Sequence, residues 1–132
     1  MLGLDEALVD GERLSVYQLG EGLGVLASPP LTARGYRYGD LVQTAYEDGQ
    51  LAVRRIVRAG TARSWRFSHR LDIPALQALV EQCSWMGAVM RATAHELVVA
   101  VPANVSAFPV LERIRNAGVA AAGSALDMEV VA

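Results

Sequence analysis

The sequence predicts an α+β protein, with an N-terminal small curved β-sheet or partial barrel followed by a ferredoxin-like βαββαβ layer. Three observations support this. Alternating apolar runs bounded by Gly, Pro and Asp fill the first half. Stripes of helical period occur only after Asp72. A composition of 52% hydrophobic and 20% charged residues over 132 positions supplies a core without disulfides or metals. The two layers divide at 1–61 and 62–132, expected to act together as one compact unit.

The elements follow in order. Leu14, Val16 and Leu19 lie in a run that stops at Gly20, and Leu23, Val25 and Ala27 alternate up to Pro29-Pro30. Gly20, Gly22 and Gly24 read as a hairpin turn, because a dinucleotide-binding loop needs a helix next and strand residues follow instead. Ala33 to Asp40 (ARGYRYGD) is a turn-rich stretch leading into a strand over Leu41–Glu47. Asp48-Gly49 is a two-residue hairpin signal, after which Leu51–Arg58 returns. Gly60 breaks the pattern, and Ala62–Ser68 forms another strand, placed where it can serve both layers.

Beyond Asp72 the period changes. Asp72 suits an N-cap, Pro74 fits the first turn, and Ile73, Leu76, Val80 and Cys83 form one apolar stripe. Ala88–Thr93 and Glu96–Val101 read as strands, the second ending at Pro102. Asn104 or Ser106 can cap a second helix, with Phe108, Leu111 and Ile114 on one side. Arg113 and Arg115 suit the dipole at its C-terminal end, and Gly118 stops it. Ala125–Val131 closes the chain as a strand. From Ala62 onward the order is strand, helix, strand, strand, helix, strand, the split βαβ pattern.

The stretch Glu12–Phe67 resembles a family of small bacterial proteins known as domain of unknown function 4265. The features that carry the resemblance are Glu12-Arg13-Leu14, Gly35…Tyr38-Gly39-Asp40, the Asp48-Gly49 hairpin and Val57…Gly60…Arg66-Phe67. Ser15 stands where that family often has an aromatic residue. The resemblance implies a fold and no assigned reaction or ligand.

A formal net charge of −2 argues against a general nucleic-acid binder, which is usually strongly basic. The lone Cys83 suits a reducing compartment. The acidic N-terminus is unlike a secretory signal, and no apolar run reaches the ~20 residues of a membrane helix. A cytoplasmic location is the expectation. Every basic residue is arginine, so each cation can meet a carboxylate or phosphate in bidentate fashion and none is an amine nucleophile.

Reactive motifs are sparse. His69, His95 and Cys83 show no metal-ligand spacing, and no cofactor motif is present. Cys83 continues an apolar stripe and reads as core. His69 and His95 read as solvated or capping residues, and Asp40 as a turn residue bonding its own backbone. Tyr36 and Tyr38 suit either a cleft or a lid on the core. Trp85 and Met86 read as packing residues. If the chain is an enzyme, Tyr38, Asp40, Arg66 and His69 around a cleft are the catalytic candidates.

One charge asymmetry is clear. Between Asp48 and Asp72 there are six arginines (Arg54, Arg55, Arg58, Arg63, Arg66 and Arg70) and no acid, whereas the other six face all 14 acids. Alternation places Arg54, Arg58 and Arg66 on one outward face of a β-hairpin, with Trp65 and Phe67 inward. Asp40, Glu47, Glu96 and Asp127 are the available internal counter-charges. The expectation is a non-catalytic module, similar to small bacterial immunity proteins, that meets an acidic partner through Arg54, Arg58, Arg63 and Arg66. A regulatory domain for a small anionic ligand and a cofactor-free enzyme are the alternatives. No metal, cofactor, membrane or nucleic acid is expected, and a homodimer could cover an open sheet face.

Overall fold

The computed structural model describes residues 3–119 and 129–130. The chain is α+β and divides into two compact units, Met1–Thr61 and Ala62–Ala132.

The first unit is a closed barrel of β1 (Gly3–Val9), β2 (Glu12–Gly20), β3 (Leu23–Leu26), β4 (Leu41–Glu47) and β5 (Gln50–Arg58). Each strand pairs antiparallel with the next. Five strands running alternately up and down leave the first and last pointing the same way, so the closing pair β1–β5 is parallel, with Leu8 opposite Ala52. The partial barrel expected from the sequence is therefore complete, which leaves no strand edge to protect. Three hairpins use two-residue turns with both residues at positive φ: Asp10-Gly11, Glu21-Gly22 and Asp48-Gly49. Their backbone twist matches that of the strands they join. Ala7, Val9, Leu14, Val16, Leu26, Val42 and Leu51 fill the interior.

Strict alternation fails on β5. Its register against β4 shifts twice, so Gln43 faces Arg55 while Thr44 faces Val53, and Leu41 faces Arg58 while Val42 faces Ile56. Each shift inserts one extra residue into β5. Val53 and Ile56 both pack on the interior, and Arg54, Arg55, Val57 and Arg58 are all exposed.

The second unit contains β6 (Arg63–Ser68), α1 (Ile73–Trp85), β7 (Val89–Ala92), β8 (Glu96–Val101), α2 (Ala107–Asn116) and β9 (Glu129–Val130). Its sheet has the order β7-β8-β6-β9, with every neighbouring pair antiparallel. The strand expected over Ala125–Val131 is described only at 129–130; the rest of that stretch and Asp127 lie outside the described residues. β6 pairs with β8 and β9 alone, so it serves one sheet and not two.

Trp65, Phe67, Leu97, Val99 and Val101 form one core with Leu79 and Cys83 of α1 and Val110 and Ile114 of α2. Both helices are rotated slightly from the stripes predicted. Ile73 and Phe108 are each 70% exposed, and Leu79 and Val110 take the buried positions. Asp72 caps α1 by accepting from Ala75 N at 2.9 Å. Ser106 is the N-cap of α2 without a side-chain bond. On the other sheet face Val98, Ala100 and Ser64 are buried as well.

Candidate functional site

Asp40 is 1% exposed and uses both carboxylate oxygens on backbone N–H groups. Oδ2 accepts from Arg37 N at 2.8 Å and Oδ1 from Gly60 N at 2.7 Å. Asp40 N donates to Arg37 O at 3.1 Å, and Asp40 O accepts from Leu26 N at 3.0 Å. One carboxylate thus ties the end of the long β3–β4 connection to the chain leaving β5. Gly60 sits so close that a Cβ there would lie 2.6 Å from the Gly39 carbonyl carbon, so only glycine fits.

Glu12 plays a similar part at the other end of that connection. Its carboxylate accepts from the consecutive amides of Leu31, Thr32 and Ala33 and from the Thr32 hydroxyl, at 2.7–3.1 Å. No sequence signal marks Glu12 for this role, because the loop it holds is remote along the chain.

Tyr36 packs against the barrel interior, which makes it a lid on the core. Burial, and then the nearby Asp10 and Asp40 carboxylates, hold its phenol above the ordinary value of 10.0. Tyr38 is half-buried in the same connection.

His69, expected as a solvated or capping residue, is buried and not solvated, and is bonded through both ring nitrogens. Nδ1 accepts from Leu71 N at 3.1 Å, which leaves Nε2 to carry the proton and donate to Thr93 O at 2.8 Å. The neutral imidazole thereby joins the end of β6 to the β7–β8 turn. His95 is exposed in that turn, and its carbonyl accepts from His69 N. Cys83 is fully buried, and burial pushes its thiol up, against a weaker opposing effect of Arg113. A nucleophile would need the reverse. Trp85 is 83% exposed, so it is a surface residue and not the packing residue expected. It lines a shallow, open depression with Glu81 and Ser84.

The six arginines do not share a β-hairpin. Arg54, Arg55 and Arg58 stand on the barrel, and Arg63, Arg66 and Arg70 belong to the second unit. β5 and β6 lie in different sheets, so no cross-strand pairing joins the two sets. Arg54 forms an ion pair with Glu47, and Arg55 Nε donates to Gln43 Oε1 at 3.0 Å. Arg63 donates to Val105 O at 3.0 Å and lies over the Trp65 ring, 5.8 Å from its centroid. The Arg66 side chain is 14% exposed, which corrects its expected outward position; its Nη1 lies 3.6 Å from Glu96 Oε2. Its Nε is buried with no hydrogen-bond partner among the described residues. Of the catalytic candidates, Tyr38 and Asp40 belong to the first unit and Arg66 and His69 to the second.

Among the described residues there is no group of three or more His, Cys, Asp or Glu side chains arranged to hold a metal. Among them, too, no helix is long and apolar enough to cross a membrane.

No protein-family profile matches the chain, and a search of curated proteins finds no match. Among solved structures the chain is similar to a hypothetical protein from Neisseria gonorrhoeae, at 19% identity with a TM-score of 0.53 and 90% of each chain covered. That likeness is one of fold, and the matched stretch extends over parts of both units.

Proposed function

We propose that this chain is a non-catalytic protein-binding module, similar in kind to small bacterial immunity proteins, that meets an acidic partner through arginines on the outside of the barrel. One observation carries the reading: Asp40, His69 and Cys83, the residues with reactive chemistry, are each committed to holding the fold. The exposed arginines of β5 stand instead beside exposed apolar side chains such as Val57. Arg58 and Arg55 carry the contact, Arg54 is already paired with Glu47, and Arg63 and Arg66 drop out of that surface. The strand order β7-β8-β6-β9 with antiparallel neighbours supports a ferredoxin-like class for the second unit.

Affinity capture with the tagged full-length chain from its native host tests the proposal. A stoichiometric protein should be retained by the wild type and lost by the Arg55→Glu/Arg58→Glu variant. Turnover of a metabolite by the purified protein, abolished by His69→Ala in a chain that remains folded, would overturn it.

A second reading, a domain for a small anionic ligand, is favoured by one feature: the buried Arg66 Nε without a partner. A group of that kind is costly unless something accepts its hydrogen.

A further inference from the structure

We infer that Arg37 and Arg58 together form the docking point for a polypeptide segment carrying carboxylates next to apolar side chains. This deepens, and rests on, the protein-binding reading above.

The two residues are far apart in sequence and are brought together by Asp40. Its Oδ2 holds the Arg37 amide and its Oδ1 holds the Gly60 amide, at 2.8 and 2.7 Å. Arg58 precedes Gly60 by two positions, and its cross-strand partner is Leu41, the neighbour of Asp40. The backbones of Gly39 and Gly60 approach closely here, so a Cβ at Gly60 would lie 2.6 Å from the Gly39 carbonyl carbon. The backbone at Arg37 and at Arg58 is therefore held near one point of the barrel, with Arg37 half-buried and Arg58 exposed.

Among the described residues neither guanidinium has a counter-charge bonded to it. Among the described residues, Arg37 and Arg58 make no ion pair or side-chain hydrogen bond. Asp40, whose two oxygens accept from backbone N–H groups, forms no ion pair with either guanidinium. Glu47 is engaged by Arg54. An external carboxylate can accept charge-assisted hydrogen bonds from a guanidinium that has no internal partner.

The surroundings select the class of partner. Cross-strand pairing continues from Arg58 to Leu41, Val25, Tyr17 and Leu4, a row on the outer face of the barrel. Tyr17 and Leu4 at its far end are well exposed, and Val57 is exposed beside Arg58. Cations adjoining apolar surface fit a protein segment with mixed side chains. A nucleic acid, which gathers its affinity from many phosphates, would meet the exposed Asp5, Glu6, Asp10, Glu21, Glu47 and Asp48 of the same unit.

The probe is a fluorescein-labelled decapeptide of alternating Glu and Leu, with a Lys–Leu counterpart, followed by anisotropy with the full-length chain. Saturable binding of the Glu peptide is expected, weakened about tenfold by either Arg37→Gln or Arg58→Gln. Arg54→Gln should leave it unchanged, because Arg54 has its own partner. Retained amide signals of Arg37 and Gly60 show that each variant keeps its fold. Equal affinity in both variants, preference for the Lys peptide, or displacement by millimolar inorganic phosphate overturns the inference. A host protein captured equally by wild type and by Arg37→Gln/Arg58→Gln would remove this site while leaving the binding-module reading intact. Metabolite turnover would remove that reading itself.

Discussion

In the barrel unit the long connection between β3 and β4 is held by two carboxylates, Glu12 at one end and Asp40 at the other, and both act on backbone N–H groups. In the second unit a buried polar fastening is the imidazole of His69, between Leu71 N and Thr93 O. The cores differ in the same sense. The fully buried barrel interior is aliphatic, whereas Trp65 and Phe67 join the aliphatic residues between the second sheet and its helices. A five-stranded barrel has a narrow interior, so its loops gain little from apolar burial and need polar fastening. A sheet backed by two helices has area enough to be held by packing. The comparison teaches that an isolated buried acid or histidine in a small fold can be a fastener for backbone amides before it is a reagent.

The contrast can be sharpened by perturbing each unit where it is strongest. In the second unit, Leu97→Ala should have the largest effect, destabilising the protein by about 2–5 kcal/mol in chemical denaturation, as expected for a fully buried side chain with no room to relax. A loss under 1 kcal/mol would mean that packing is not what holds this unit. In the barrel a smaller, pH-dependent effect is expected from Tyr36. Its folded-state value lies above 10.0, so the unfolded chain gives up the phenolic proton first as pH rises. The stability Tyr36 contributes is complete below pH 10.0 and is lost as pH climbs through the higher folded value. Stability measured by chemical denaturation between pH 9 and 11 should therefore fall more steeply for the wild type than for Tyr36→Phe. Parallel curves would contradict the burial of that phenol.

Much of the architecture was legible locally. Asp48-Gly49, the alternation around Leu14 and Val16, the Asp72 cap and the Glu96–Val101 run each mark their element through neighbouring residues alone. β1 was not legible, because Asp5 and Glu6 interrupt the apolar residues of a seven-residue strand. The helix phases were ambiguous, since Leu76 and Cys83 fit a stripe with either Ile73 or Leu79, and contact with the sheet decides between them. The candidate site was least legible. Which arginines share a surface depends on strand pairing and on two bulges in β5, and alternation alone wrongly joined Arg54 and Arg58 to Arg66. Arg37 carried no signal, because its proximity to Arg58 is created by a carboxylate and a glycine distant in sequence.

The central claim, that the acid most easily mistaken for a catalytic group is a structural fastener, is tested most directly by amide hydrogen exchange on Asp40→Ala. Removing the carboxylate leaves the Arg37 and Gly60 amides without an acceptor, so both should exchange much faster than in the wild type. Global stability should fall by about 2–4 kcal/mol, the loss of two charge-assisted bonds in a buried setting. Unchanged protection of both amides, with stability within about 0.5 kcal/mol of the wild type, would contradict the account and return Asp40 to the pool of chemically available residues.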